Sequence, residues 1–137
     1  MTVAESCTQH EMRPVRFTFG RHMRLSLARE YQQVYAARVS RTLGPLVVFA
    51  VPNDRAYPRL GLAVARRVGR AHERHAIKRR LREAFRMLQH DLPTGYDFVV
   101  RVRPHERLTL AEYQKLLSKA MRGLHLRWRD REDQRRG

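Results

Sequence analysis

Residues 59–102 read RLGLAVARRVGRAHERHAIKRRLREAFRMLQHDLPTGYDFVVRV, and this stretch decides the fold because its hydrophobic period changes twice. Residues 59–64 alternate as a strand does, and residues 96–102 alternate again. Between them, an apolar stripe repeats at helical spacing from about residue 72 to residue 90. The stripe consists of Ile77, Leu81, Ala84, Phe85 and Leu88. The pattern predicts strand, helix, strand.

The flanking sequence adds two helices and one strand. A helix is predicted over about residues 27–37, and the apolar run 46–51 predicts a strand that forms a hairpin with 59–64. In strand 59–64 the side of Gly61 and Ala63 is almost bare, which lets another chain lie close. The sequence Thr109-x-x-Glu112 is a capping box that opens a last helix. Its predicted core face is Tyr113, Leu116, Leu117, Ala120 and Leu124.

These elements predict a single-domain α+β protein, a two-layer sandwich of helices on a small mixed sheet. The domain is expected over residues 19–126, after a disordered N-terminal extension (1–18) and before a charged C-terminal tail (127–137) that frays. Phe17 and Phe19 are expected to anchor the N-terminal segment, and the alternative is that they belong to a binding surface for single strands. The lone Cys7 excludes an internal disulfide, and no signal or membrane segment is evident, so a cytoplasmic location is predicted.

The charge of the chain predicts a nucleic acid partner. The net charge is +16 with a pI near 11.5, and 42% of the residues are apolar, which is typical of a folded domain rather than a disordered basic tail. Residues 66–86 contain nine Lys or Arg against Glu73 and Glu83. Ordinary solvated helices interleave both signs, so this helix is expected to bind phosphates, which position RNA or DNA without reading bases.

The aromatic residues indicate which form of nucleic acid could bind, and the acidic residues indicate whether the chain could hold catalytic metal ions. Tyr31 and Tyr35 share one helix face, which is more typical of core than of a binding platform, although stacking rings beside cations hold single strands. The thirteen carboxylates form no close pair for two metal ions, and His72 and His75 lack a third ligand. No catalytic residue and no intrinsic metal site are predicted.

Residues 59–104 resemble the protein subunit of bacterial ribonuclease P. That family carries an Arg-Asn-Arg-Ile-Lys-Arg core followed by an Arg-Glu pair on one helix, and the matching residues are Arg74, Ile77, Lys78, Arg79, Arg82 and Glu83. The segment RLSLAREYQQVYAARV (24–39) is similar to the family's first helix. Two positions depart from the family: His75 replaces its Asn and Ala76 its second Arg. Translation could begin at Met1, Met12 or Met23.

The resemblance implies a left-handed strand-helix-strand crossover and an accessory role. In this family the RNA subunit, with magnesium, removes the 5′ leader of precursor tRNA, and the protein supplies binding energy. The implied partners are therefore ribonuclease P RNA and precursor tRNA, with no membrane and no obligatory protein partner. The implied docking residues for the catalytic RNA are Arg66, Arg67, Arg70, Arg74, His75, Lys78, Arg79 and Arg82. The implied leader cleft contains Tyr31, Tyr35 and Phe49.

Two other functions fit a small basic α+β chain. A structural protein of the ribosomal type would have no part in cleavage. A nuclease that needs no RNA is the weaker alternative, because the carboxylate cluster that it requires is missing from the sequence.

Overall fold

The computed structural model describes residues 19–136, which form a four-stranded mixed sheet packed with three α-helices. The predicted disordered extension 1–18, with Cys7 and Phe17, lies outside the described residues. The helices are α1 (Ala28–Ala36), α2 (Ala71–Leu88) and α3 (Leu110–Arg136), and the strands are β1 (Ser40–Leu43), β2 (Leu46–Pro52), β3 (Arg59–Val64) and β4 (Tyr96–Val102). Single 3₁₀ turns lie at Arg21–Met23 and Arg66–Val68. The predicted α+β sandwich is confirmed.

The strand order is β1-β2-β4-β3, so the predicted hairpin of β2 with β3 is wrong. Strand β4 lies between them, antiparallel to β2 and parallel to β3. The reason is burial: β4 is buried from Tyr96 to Val100 on both faces, and an apolar strand of this kind takes a central position. The hairpin that does form joins β2 to β1, through Gly44 at a φ of 56°.

The main core lies between one face of the sheet and helices α2 and α3. The predicted stripe of α2 is buried at Ile77, Leu81, Ala84 and Phe85, with Leu88 packed at its margin. The capping box opens α3 as expected, because the Thr109 hydroxyl accepts the Glu112 N–H at 3.2 Å and the Glu112 carboxylate accepts the Thr109 N–H at 3.1 Å.

Helix α1 packs on the opposite face of the sheet. Val34 of α1, Phe49 of β2 and Val99 of β4 form a small second cluster with Leu25. The sheet is therefore covered by α2 and α3 on one side and only in part by α1 on the other. This partial cover leaves a strip of sheet beside α1 open to a ligand.

The charged C-terminal tail, predicted to fray, is the last part of α3. The helix continues to Arg136 because two side chains attach it to the sheet. The Trp128 indole donates to the carbonyl of Ala50 at 2.9 Å, and the Arg127 guanidinium donates to the carbonyl of Ser40. No helix within residues 19–136 is long and apolar enough to cross a membrane.

Candidate RNA interface

Tyr31 joins α1 to the edge strand β3. Its hydroxyl accepts the N–H of Leu62 at 3.1 Å, and its ring lies on Gly61, where a Cβ would stand 2.7 Å from Cζ. Burial raises the pKa of the Tyr31 phenol, since the ring is half enclosed between helix and strand. The strip of β3 that was predicted to be bare is thus covered by Tyr31 at Gly61. The Tyr31 ring is itself partly exposed, and its outer edge is accessible to a ligand.

A cationic groove runs beside Tyr31 between the N-terminal segment, β3 and α2. It consists of two adjoining hollows of about 320 and 290 Å³ that share Phe19, Arg24 and Arg82. Lys78 and Tyr31 line one hollow, and His75 and Arg79 line the other. We call this feature the α2 groove. Its cations project from two separate parts of the chain toward one channel.

The cations of the α2 groove outnumber its one lining carboxylate, Glu83. The pKa of the Arg82 guanidinium is lowered by its partial burial and by the nearby charge of Arg24. Among residues 19–136, neither arginine forms an ion pair. Of the two acidic residues of α2, Glu73 accepts the N–H of Arg70 at the helix start. Glu83 lines the groove but is already paired with Arg86. An external anion would therefore relieve this repulsion.

Phe19 forms the floor of the α2 groove. Its ring contacts Phe85 of the core edge-on, with centroids 5.5 Å apart, and the Arg24 guanidinium lies 4.8 Å from the Phe19 centroid on the other side. Phe19 fits both expectations, because its ring holds the N-terminal segment against α2 and also lines the groove. The same contact orients Arg24, a groove residue that sequence reasoning missed because it lies outside the basic run.

A second aromatic site lies on the open strip of sheet beside α1. Tyr35 and Phe49 meet edge-on with centroids 4.9 Å apart. The Arg101 guanidinium of β4 lies 5.7 Å from the Tyr35 centroid and 5.2 Å from that of Phe49. Burial raises the pKa of the Tyr35 phenol, and the charge of Arg101 opposes that shift. We call these three residues the Tyr35 platform; Arg101 is exposed and Tyr35 partly exposed, while Phe49 is only 9% exposed and supports them from below.

A buried ion-pair network fixes α1 on the sheet. Arg59 binds Asp97 through two bonds of 2.7 and 2.6 Å, and a third nitrogen of the same guanidinium binds Glu30 at 2.9 Å. Glu30 also accepts the N–H groups of Ser26 and Leu27 at the start of α1. These contacts set the position of the helix that carries Tyr31 and Tyr35.

The predicted residues divide into three places. The α2 groove contains Tyr31, His75, Lys78, Arg79 and Arg82. The Tyr35 platform contains Tyr35 and Phe49. The remaining predicted cations lie before and at the start of α2: Arg66, Arg67 and Arg70 are exposed, and Arg74 donates to the carbonyl of Gly69 at 3.2 Å. Tyr31 lines the α2 groove and, one helical turn from Tyr35, packs on the same small cluster as that residue.

The position of Ala76, where the family carries Arg, borders a shallow depression on the outer face of α2. Ala71, His72, His75 and Arg79 line the rest of it. Within residues 19–136, no three His, Cys, Asp or Glu side chains come together as a metal site.

Comparisons with known proteins identify the family and the fold. The family model described as Ribonuclease P matches residues 19–125. The RNase P protein of Staphylococcus aureus superposes with a TM-score of 0.64 at 26% identity, covering 73% of this chain and 93% of that one. The RNase P protein of Thermotoga maritima superposes with a TM-score of 0.59 at 32% identity, covering 69% of this chain and 90% of that one.

Proposed function

This chain belongs to the ribonuclease P protein family, a family of tRNA processing whose partner is ribonuclease P RNA, and from that premise we propose how it works. It binds the catalytic RNA through the outward cations of α2 and the segment before it. It binds the 5′ leader of precursor tRNA between α1 and the sheet. The RNA carries out hydrolysis, and the protein supplies binding energy and charge screening.

The observation that carries this proposal is the α2 groove, where several cations meet a single lining carboxylate, Glu83, which is already paired with Arg86. Phosphates are the anions that such a row of guanidinium groups fits, because each can be bound by two parallel hydrogen bonds. Each phosphate that the groove neutralises releases condensed counterions, which makes affinity fall steeply with salt.

The outward side of α2 and the segment before it are the surface that we assign to structured RNA. Arg66, Arg67 and Arg70 are exposed just before α2, and His75 and Arg79 are exposed on its first turns. Backbone phosphates of a folded RNA can be contacted by such a convex row without any base being read. We therefore assign these residues to docking of the catalytic RNA.

The Tyr35 platform is the surface that we assign to the single-stranded leader. A ring with a guanidinium above it binds the face of an unpaired base, whereas paired bases present no free face. Tyr31 contributes through the outer edge of its ring, because its hydroxyl already accepts the Leu62 N–H. The leader would thus run along α1, from Tyr31 at the margin of the α2 groove to Tyr35.

Magnesium enters this proposal only through the RNA. The ion there would activate the attacking water and stabilise the leaving oxygen. The protein's part is to bring phosphates close at lower magnesium concentration, since its cations take over some of the screening that free ions otherwise provide.

The decisive experiment is cleavage of a 5′-extended precursor tRNA at low magnesium by a bacterial ribonuclease P RNA, with and without this protein. We expect the protein alone to be inert and to restore cleavage at the mature 5′ end when the RNA is present. Cleavage by the protein without RNA would support the nuclease alternative. No effect on a matched RNA, together with co-sedimentation with ribosomes, would support the ribosomal alternative.

A further inference from the structure

A second cationic surface lies far from the α2 groove, on α3 and the edge strand β1. It is a hollow of about 490 Å³ whose charged lining consists of Arg41, Lys115, Lys119 and Arg122. Ser118, Gly123 and Leu126 complete it, and no carboxylate lines it. We call it the α3 patch. Two of the three lysines in the chain lie in it.

The α3 patch is built from two elements that meet at Gly123. The guanidinium of Arg41 extends from β1 across the surface of α3, and a Cβ at position 123 would stand 2.5 Å from its Nη1. Glycine in the middle of a helix lowers its stability relative to alanine, yet here it leaves the space that the arginine occupies. Arg41 is thereby brought beside the lysines of α3.

The charges of the α3 patch are unopposed. Lys115 and Lys119 are four residues apart on α3, and Lys119 and Arg122 are three apart, spacings at which like charges repel. Within residues 19–136, none of these side chains forms an ion pair. Glu112, one turn earlier, is held by Thr109. The cations of the α3 patch therefore repel one another, and no ion pair within residues 19–136 relieves that repulsion. An anionic partner would relieve it.

The position of the α3 patch makes it a separate contact. Strand β1 is one edge of the sheet and β3, beside the α2 groove, is the other. Three strand spacings of about 4.8 Å separate the backbones of these edges, so β1 and β3 lie about 14 Å apart. One phosphate chain lying in the α2 groove does not reach the α3 patch, but another segment of a large folded RNA can.

We propose that the α3 patch is a second docking surface for the phosphate backbone of structured RNA. Lysines act as strongly hydrated point charges, which suits phosphates held without base recognition. The inference rests on the proposed function in taking the catalytic RNA as the ligand, and it adds a second contact on the far side of the fold. Binding at two surfaces fixes the orientation of the protein on the RNA as well as its affinity.

The test is the affinity of the full chain for its own ribonuclease P RNA, measured at several salt concentrations. The variant Lys119→Glu/Arg122→Glu is compared with Arg55→Glu/Arg135→Glu, which makes the same change in net charge at exposed positions outside both surfaces. A third variant, Lys78→Glu/Arg79→Glu, reports on the α2 groove.

We expect the α3 variant to lose at least about tenfold in affinity and to lower the salt slope by about two contacts, with the charge control close to wild type. Backbone footprinting should show lost protection in a segment different from that lost with the α2 variant. Losses at the two surfaces should multiply when the variants are combined, because separate sites act independently.

Two results would overturn the inference, and they differ in what they leave standing. If the α3 variant matches the charge control while the α2 variant loses affinity, RNA docking through α2 holds and the α3 patch binds no RNA; an acidic protein surface is then the alternative occupant. If neither variant loses affinity beyond the control, docking through α2 fails too.

Discussion

The ring of Tyr31 lies on Gly61 so closely that a Cβ on residue 61 would stand 2.7 Å from its Cζ and 2.9 Å from its hydroxyl oxygen. Strand β3 and helix α1 can therefore approach this closely only because residue 61 has no side chain. The contact explains how a short helix of nine residues stays on a largely open sheet face. It also fixes one wall of the α2 groove.

Gly61→Ala should displace the Tyr31 ring and break its bond with the Leu62 N–H, at a cost of roughly 1–3 kcal/mol in the free energy of unfolding, typical of overpacking. Urea unfolding measures the cost. In the double variant Gly61→Ala/Tyr31→Ala the clash no longer exists. The free energy of unfolding should therefore fall by less than the sum of the decreases in the two single variants. Strict additivity would mean that the ring does not lie on residue 61.

Asp97→Asn should be strongly destabilising. The Asp97 carboxylate is 8% exposed and takes two bonds from Arg59, itself 13% exposed, so the substitution leaves a buried cation with only Glu30 as its counter-charge. Breaking such a pair costs about 3 kcal/mol. Asp91→Asn, at an exposed position, is the matched control for loss of one carboxylate. Equal unfolding midpoints for the two variants would contradict the network.

Glu30 should make the free energy of unfolding depend on pH in the acidic range. The pKa of its carboxyl lies below its usual 4.5, first because the carboxylate accepts the Leu27 N–H, and also because of the Arg59 guanidinium. Below pH 4.5 the unfolded chain binds this proton before the folded one does, so the contribution present above that pH is lost as the pH falls through the folded-state value.

Glu30→Gln should flatten part of this dependence. The amide can still accept the helix N–H groups but carries no charge for Arg59, so the variant should be less stable than wild type at pH 6 and closer to it at pH 3.5. Urea unfolding at the two pH values makes the comparison, with the exposed Glu106→Gln as control. A constant difference between wild type and Glu30→Gln would exclude a titrating role.

Tyr35→Ala should weaken binding of precursor tRNA that carries a leader, while binding of mature tRNA by the assembled holoenzyme stays unchanged. Stacking of one base on an aromatic ring is worth about 1–3 kcal/mol, so a loss of roughly tenfold or more is expected. Tyr35→Phe keeps the ring and should bind as wild type does. Equal losses for both tRNA forms would remove the Tyr35 platform from the leader site.

Local patterns in this sequence predicted the helices and most of the strands. They did not predict which strands are neighbours in the sheet. The stripe of α2 and the capping box of α3 depend on residues within about three turns of each other, which local sequence patterns detect. The order of strands depends on β4 being buried on both faces, and half of that burial comes from α1, far away in sequence. The short strand β1, with sequence SRTL, has too few apolar residues to register as a strand.

The candidate site was predictable in part for the same reason. The cations of α2 stand in one run, so their common face could be inferred from the sequence. Arg24 and Arg101 lie in separate segments and reach the site only through the fold, one over Phe19 and the other over Tyr35. The ion pair of Arg59 with Asp97 joins residues 38 positions apart, and no local pattern indicates it.

Ala76→Arg should strengthen binding of the catalytic RNA. The depression beside Ala76 on the outer face of α2 has room for a longer side chain, and His75 and Arg79 already border it. A guanidinium there would add about one phosphate contact, so affinity should rise severalfold and the salt slope should steepen by about 0.7–0.9.

Ala56→Arg adds the same charge in the exposed loop between β2 and β3 and serves as its control. Filter binding of the RNA at four salt concentrations gives both quantities for both variants. If Ala56→Arg strengthens binding as much as Ala76→Arg does, the gain is a general effect of net charge. An unchanged slope for Ala76→Arg would mean that this part of α2 does not face the RNA, and docking would then have to depend on the residues around Arg82 and on the segment before the helix.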